Sequence, residues 1–161
     1  MDRYVVSFLR ASLVWLGAGV SLGVAMAVHP AWVIYRTAHL HMLLLGFVTM
    51  MIAGVAYHVL PRFAAAPLHS PRLAAIHFIV ANVGVALLAS GFVVRFHSTA
   101  IAMPMLAIGG KLSAAGAYAM AWNLWRTLDR AAVPPTQLAT IRSARRDTPS
   151  RASEPGTAAA H

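Results

Sequence analysis

Residues 39–63, HLHMLLLGFVTMMIAGVAYHVLPRF, decide how the whole chain is interpreted. The segment is almost entirely apolar, yet it carries His39 and His41 at one end and His58 near the other. At about 1.5 Å per residue, a helix of this length crosses a hydrocarbon core of about 30 Å. Imidazole rings within an apolar span are costly unless they have partners. The segment therefore predicts a transmembrane helix with a functional end.

The composition of the chain favours a membrane protein. Of its 161 residues, 59% are hydrophobic and only 11% are charged, which is too few charges for the surface of a soluble domain. The net charge is +9, but the basic residues cluster at the ends of apolar runs and in the C-terminal tail, which is typical of topology signals rather than nucleic-acid binding. The absence of cysteine excludes disulfides, iron–sulfur clusters and haem attached through cysteine. We expect the lipid bilayer as the partner, no nucleic acid, and His, Met, Tyr or the few carboxylates as ligands of any metal.

Four apolar runs predict an all-α fold, an integral membrane four-helix bundle of up-down-up-down topology. The predicted spans are residues 5–28, 36–60, 73–94 and 101–124. We expect the first span to be retained, although AMA at residues 25–27 resembles a signal-peptidase site, because the apolar run is long and contains Arg10. Residues 131–161 lack apolar periodicity and predict a disordered basic tail. Most arginines lie in the N-terminus, the 61–72 loop and the tail, so both termini are expected to be cytoplasmic.

The histidines of the spans divide into two groups on opposite sides of the predicted bilayer. Counting outward from each short loop places His39 and His41 near the outer face, and His58 and His77 together near the cytoplasmic face. Residues two apart on a helix are rotated by about 200°, so His39 and His41 point in nearly opposite directions. The two rings are therefore expected to serve two separate partners rather than to chelate one ion. The other outer-side candidates for ligands are His29, His97, Met26 and Met103.

Ordinary structural roles compete with ligation at most of these positions. A histidine at a span end is usually hydrogen-bonded to headgroups or backbone, and that alternative stays open for His29, His97, His58 and His77. The methionines are equally explained as core or lipid contacts. Lys111 lies within the fourth span, and no span contains a carboxylate to pair with it. Its level is close to that of Asn82, and a neutral amine and a snorkelling side chain are both open readings.

The segment with its continuation, PLHSPRLAAIHFIVANVGVALLASGF, resembles the late helices of the catalytic subunit, subunit I, of C-type haem–copper oxidases, to which bacterial nitric oxide reductases are related. The matching features cover roughly residues 37–128 and are His39-x-His41, Gly46–Phe47, Gly54 and Tyr57 leading into Pro61–Arg62, Ser70 and His77–Phe78. The resemblance implies that His39 and His41 each ligate the iron of a separate haem, one on each face of the helix, in a bacterial inner membrane protein.

The resemblance also sets limits on function. The copper-site histidines of that subunit belong to helices outside these four spans, so we do not expect this chain alone to complete oxygen or nitric oxide reduction. We predict a protein that binds one or two haem b groups, for electron transfer or for binding a diatomic gas, with copper as a further candidate cofactor. The second axial ligand is left open among His29, His97, Met26, Met103 and another protomer. The alternative is a copper-handling or structural accessory subunit of a respiratory complex, and either a homo-oligomer or a respiratory-chain partner is expected.

Overall fold

The computed structural model describes residues 2–131, and within that range the chain is helical and contains no strand. Four stretches are long and apolar enough to cross a bilayer, in agreement with the predicted number: Arg3–Val28, Pro30–Phe63, Pro71–Val94 and Thr99–Arg130. The α-helices are α1 (Arg3–Val28), α2 (Arg36–His41), α3 (Met50–Phe63), α4 (Pro71–Val94) and α5 (Thr99–Ala131).

The second span combines three kinds of helix. A 3₁₀ segment, Pro30–Tyr35, precedes α2, and a π-helical segment, Met42–Thr49, joins α2 to α3. The expected end of this span before Pro61 is wrong, because α3 continues through Pro61 to Phe63. Proline in the last turn of a helix removes only one backbone hydrogen bond, and the chain leaves the helix instead at Ala65, whose φ is +47°.

The remaining helices are longer than the apolar runs that predicted them. The first helix begins at Arg3, and α4 begins at Pro71, where the Ser70 hydroxyl caps the helix by accepting from the backbone N–H of Leu73 at 3.2 Å. The last helix extends seven residues beyond the expected limit at Leu124. Polar residues at the ends of these helices are themselves helical, so the apolar runs underestimate helix length. Apart from Ala131, which ends α5, the predicted tail lies outside the described residues.

Small residues set the close packing of neighbouring helices. Between α4 and α5, Gly84 lies against Ser113 and Gly91 against Leu106, so these two helices run antiparallel. In the same way, Gly46 of the π-helical segment lies against Trp15 of α1. A Cβ atom at Gly46 would lie 2.5 Å from Cγ of Trp15, which shows how closely the backbone approaches the indole. The core between α1, α3 and α4 includes Phe8, Met50, Ala53, Tyr57 and Val85.

Candidate functional site

His39 lies against the first helix. Its Nδ1 is 2.8 Å from the backbone carbonyl oxygen of Gly19. A carbonyl oxygen only accepts hydrogen bonds, so Nδ1 carries the hydrogen and Nε2 of the neutral ring keeps its lone pair. The ring occupies the space above Gly23, where a Cβ atom would lie 2.9 Å from Cε1 of the imidazole. Contacts with α1 therefore fix both the tautomer and the position of the His39 ring.

His41 reaches the same tautomer by a local route. Its Nδ1 is 2.8 Å from the backbone carbonyl oxygen of Thr37, one turn earlier in the same helix. On its other side the imidazole packs against Phe92 of α4, with 4.7 Å between the ring centroids. His41 is half-buried, as is His39. Nε2 of His41 therefore also keeps its lone pair in the neutral ring.

The two rings face different helices, His39 towards α1 and His41 towards α4, as the 200° rotation predicts. Metal-ligating histidines typically donate the N–H of the non-ligating nitrogen to a carbonyl or carboxylate, which fixes the ring and increases its basicity. Both rings have that arrangement, which leaves Nε2 of each as the candidate ligating atom. Within residues 2–131, no three His, Asp or Glu side chains converge as they would around a single bound metal ion.

The π-helical segment begins immediately after His41. Its wider turns present Gly46 to α1, and the hydroxyl of Thr49 donates to the carbonyl oxygen of Leu44 at 2.8 Å. Such segments are rare and frequently lie at functional sites. The face of the helix that continues from His39 through Leu43 and Gly46 packs against α1, where Leu43 lies against Gly19 and Gly46 against Trp15.

The other outer-side histidines, His29 and His97, lie among aromatic side chains. The hydroxyl of Tyr35 is 3.2 Å from Nε2 of His97, and the ring of His29 is 5.6 Å from that of Trp32. Both histidines are exposed. Met103 is 55% exposed and Met26 is half-buried. The contacts that fix His29 and His97 are thus with aromatic side chains, and none of the described contacts joins them to His39 or His41.

The histidines at the other end of the bundle do not share a site. His77 is buried, with Nδ1 3.0 Å from the hydroxyl of Tyr57 and its ring 4.8 Å from that of Phe8. His58 instead accepts a hydrogen bond at Nδ1 from Nη1 of Arg62, at 2.8 Å. His58 and His77 were predicted at one level, but their side chains turn to different partners.

One polar contact inside the bundle was missed by sequence reasoning. The indole N–H of Trp15 donates to Oδ1 of Asn82 at 3.0 Å, and Nδ2 of Asn82 donates to the carbonyl oxygen of Phe78 at 2.8 Å. Asn82 was predicted at a level close to that of Lys111, whose side chain is exposed on α5. The sequence contained a signal for this contact, because a tryptophan in the middle of an apolar span needs an acceptor for its N–H.

Residues 3–143 match the family model described as Cytochrome C and Quinol oxidase polypeptide I. The chain belongs to this family. It is 28% identical over 157 residues to the Cbb3-type cytochrome c oxidase subunit CcoN1 of Stutzerimonas stutzeri, an alignment that covers 79% of this chain and 33% of that protein. The chain thus spans about a third of the length of that relative.

The family match confirms the resemblance drawn from the H-x-H segment. It also extends the resemblance, because the matched residues include α1, which carries the Gly19 and Gly23 contacts to His39. Four helices long enough to span a bilayer, together with this family, make the chain a multi-pass membrane protein related to oxidase subunit I.

Proposed function

We propose that the chain is an integral membrane protein that binds haem b, with His39 and His41 as axial ligands of two separate irons, and that it transfers electrons or binds a diatomic gas. The observation that carries this proposal is that the two imidazoles adopt the same tautomer. Each donates Nδ1–H to a backbone carbonyl at 2.8 Å and keeps Nε2 as a donor atom for iron. The family relationship makes haem the expected cofactor.

Bound haem b supplies an iron that changes oxidation state, or that binds a gas where one axial position is open. The residues of the chain supply orientation. Gly19 and Gly23 hold the His39 ring from α1, while Thr37 and Phe92 hold the His41 ring from α2 and α4. Since the rings face different helices, each iron has its own surroundings, and the two haems are expected to differ in potential.

The setting in the membrane is part of the same proposal. We place the chain in the bacterial inner membrane with both termini cytoplasmic, because the arginines are concentrated on that side of the four spans. A second copy of the chain or a respiratory-chain partner would supply a further ligand where this chain does not. The copper-handling alternative is less favoured, since Nε2 of His97 is taken by Tyr35 and Met103 is turned outward.

The test is a reduced-minus-oxidised optical spectrum of the purified full chain after expression with ample haem. Wild type is expected to show Soret and α bands, and His39→Ala and His41→Ala are each expected to remove a distinct part of the spectrum. Leu40→Ala is the matched control, because Leu40 lies between the two histidines and is 40% exposed. Wild-type protein without any Soret absorbance would refute haem binding. Spectra that stay unchanged in both histidine variants would refute these two ligands.

A further inference from the structure

A cavity of about 480 Å³ lies at the end of the bundle where α1 begins and α3 ends. The start of α1 contributes Asp2 and Tyr4, and α3 contributes His58 and Arg62. The loop before α4 contributes Leu68. This cavity is remote from His39 and His41, which lie at the opposite end of the second span.

Two side chains of opposite charge line this cavity without pairing with each other. The ion pair found among residues 2–131 is Arg126–Asp129, at 3.6 Å. Asp2 accepts a hydrogen bond from the hydroxyl of Tyr4 at 3.0 Å, and its second carboxylate oxygen has no hydrogen bond within residues 2–131. The cavity thus keeps a carboxylate and a guanidinium both available to a ligand.

The basic side of the cavity has free hydrogen-bond donors. Arg62 uses Nη1 to donate to Nδ1 of His58 at 2.8 Å and also to the His58 carbonyl oxygen. Nη2 and Nε of Arg62 remain, as does the N–H on Nε2 of the neutral His58 ring. A guanidinium with two free donor positions is well suited to phosphate oxygens.

An apolar hollow of about 300 Å³ lies on the next turns of α3. It ends at Leu60, next to Pro61, which lines the cavity. The hollow is lined only by apolar side chains: Met51, Ile52, Val55, Ala56, Val59 and Leu60. A polar cavity with both charges beside an apolar hollow matches a molecule with a zwitterionic head and a hydrocarbon tail.

From these features we infer that the cavity binds an aminophospholipid of the phosphatidylethanolamine type. Arg62 and His58 bind the phosphate, and Asp2 binds the ammonium beside the ring of Tyr4. The hollow on α3 receives the start of one acyl chain. The two opposite charges favour this headgroup over an anionic one, because an anionic headgroup has no ammonium to bind Asp2 and its net negative charge is repelled by that carboxylate.

The test uses native mass spectrometry of the delipidated full chain in detergent, titrated with phosphatidylethanolamine and with phosphatidylglycerol. Wild type is expected to bind one phosphatidylethanolamine per chain, about fivefold more tightly than phosphatidylglycerol. Asp2→Asn is expected to abolish that preference, and Arg62→Gln to weaken both lipids by about fivefold. Asp129→Asn and Arg72→Gln, which change charges outside the cavity, are expected to bind as wild type does.

Two further experiments distinguish a bound lipid from a bound free phosphate compound. Ala56→Leu fills the hollow and is expected to weaken lipid binding without affecting soluble glycerophosphoethanolamine, whereas Ala107→Leu on α5 serves as its control. Displacement of the lipid by an equal concentration of inorganic phosphate would overturn the lipid assignment. Equal or tighter binding of phosphatidylglycerol to wild type, or equal losses in the control variants, would overturn the site. Circular dichroism of each variant checks that it is folded. If Arg62→Gln fails to fold, the loss of lipid preference in Asp2→Asn still tests the site, because Asp2 lies at the exposed end of α1.

Discussion

Gly23→Ala tests whether α1 positions the His39 imidazole. The added Cβ atom would lie 2.9 Å from Cε1 and 3.3 Å from Nδ1 of His39. Ordinary contact begins near 3.4 Å, so the ring has to move by about 0.5 Å, and that movement lengthens its 2.8 Å hydrogen bond to Gly19. Gly17→Ala on the same helix is the matched control, because a Cβ atom there has no neighbour within 4 Å.

The magnitude follows from the cost of overpacking a closely packed site, which is about 1–3 kcal/mol. If about 1.4 kcal/mol of that falls on the haem-bound state, haem affinity at His39 decreases about tenfold. The gain in helix propensity from Gly to Ala, about 1 kcal/mol, is common to both variants and cancels in the comparison.

The assay is a titration of purified apoprotein with haem, read at the Soret band, together with the reduced-minus-oxidised spectrum. Gly17→Ala is expected to match wild type, and Gly23→Ala to lose affinity only for the component that His39→Ala removes. Equal haem affinities in Gly23→Ala and Gly17→Ala, with His39→Ala still defective, would refute the role of α1. Loss of the His41 component in Gly23→Ala would show a general disturbance instead.

Two further predictions concern packing inside the bundle. Gly109→Ala is expected to lower the free energy of unfolding by about 1–3 kcal/mol, because its Cβ atom would lie 2.8 Å from the backbone nitrogen of Leu88. Thermal unfolding followed by circular dichroism compares this variant with Gly110→Ala, whose Cβ atom meets nothing within 4 Å. Equal melting temperatures of the two variants would contradict the prediction. Asn82→Leu is expected to lower the free energy of unfolding by about 1 kcal/mol, because it leaves the indole N–H of Trp15 without its acceptor. In a Trp15→Phe background the same substitution is expected to lower the free energy of unfolding by less. A double-mutant cycle that shows no coupling between the two substitutions would contradict the hydrogen bond.

The sequence predicts the number of candidate spans well because each apolar run is an independent signal. It predicts their ends poorly. The apolar run stops at Leu124, yet α5 continues to Ala131, since the polar residues between them are compatible with a helix. Pro61 was taken as a helix end and instead lies in the last turn of α3, where a missing N–H costs only one hydrogen bond.

The directions of the two candidate histidine rings were predictable from the sequence, but the residues that they contact were not. The spacing of His39 and His41 is enough to show that the rings point apart, because helix geometry is local. Which helix each ring meets depends on tertiary packing, so the Gly23 contact and the Phe92 contact appear only in the structure. The π-helical segment was also missed, since no residue type in Met42–Thr49 is specific to i→i+5 hydrogen bonding.

The tautomers of His39 and His41 are fixed by different parts of the fold. The His41 tautomer is fixed by Thr37 of its own helix, so it persists wherever that turn remains helical. The His39 tautomer is fixed by Gly19 of another helix, so it persists only while α1 stays packed against the second span. A movement of α1 therefore changes the basicity and orientation of Nε2 at His39 while leaving His41 unchanged. In the proposed haem protein, a displacement of α1 is therefore expected to change the haem bound at His39 and to leave the haem bound at His41 as it is.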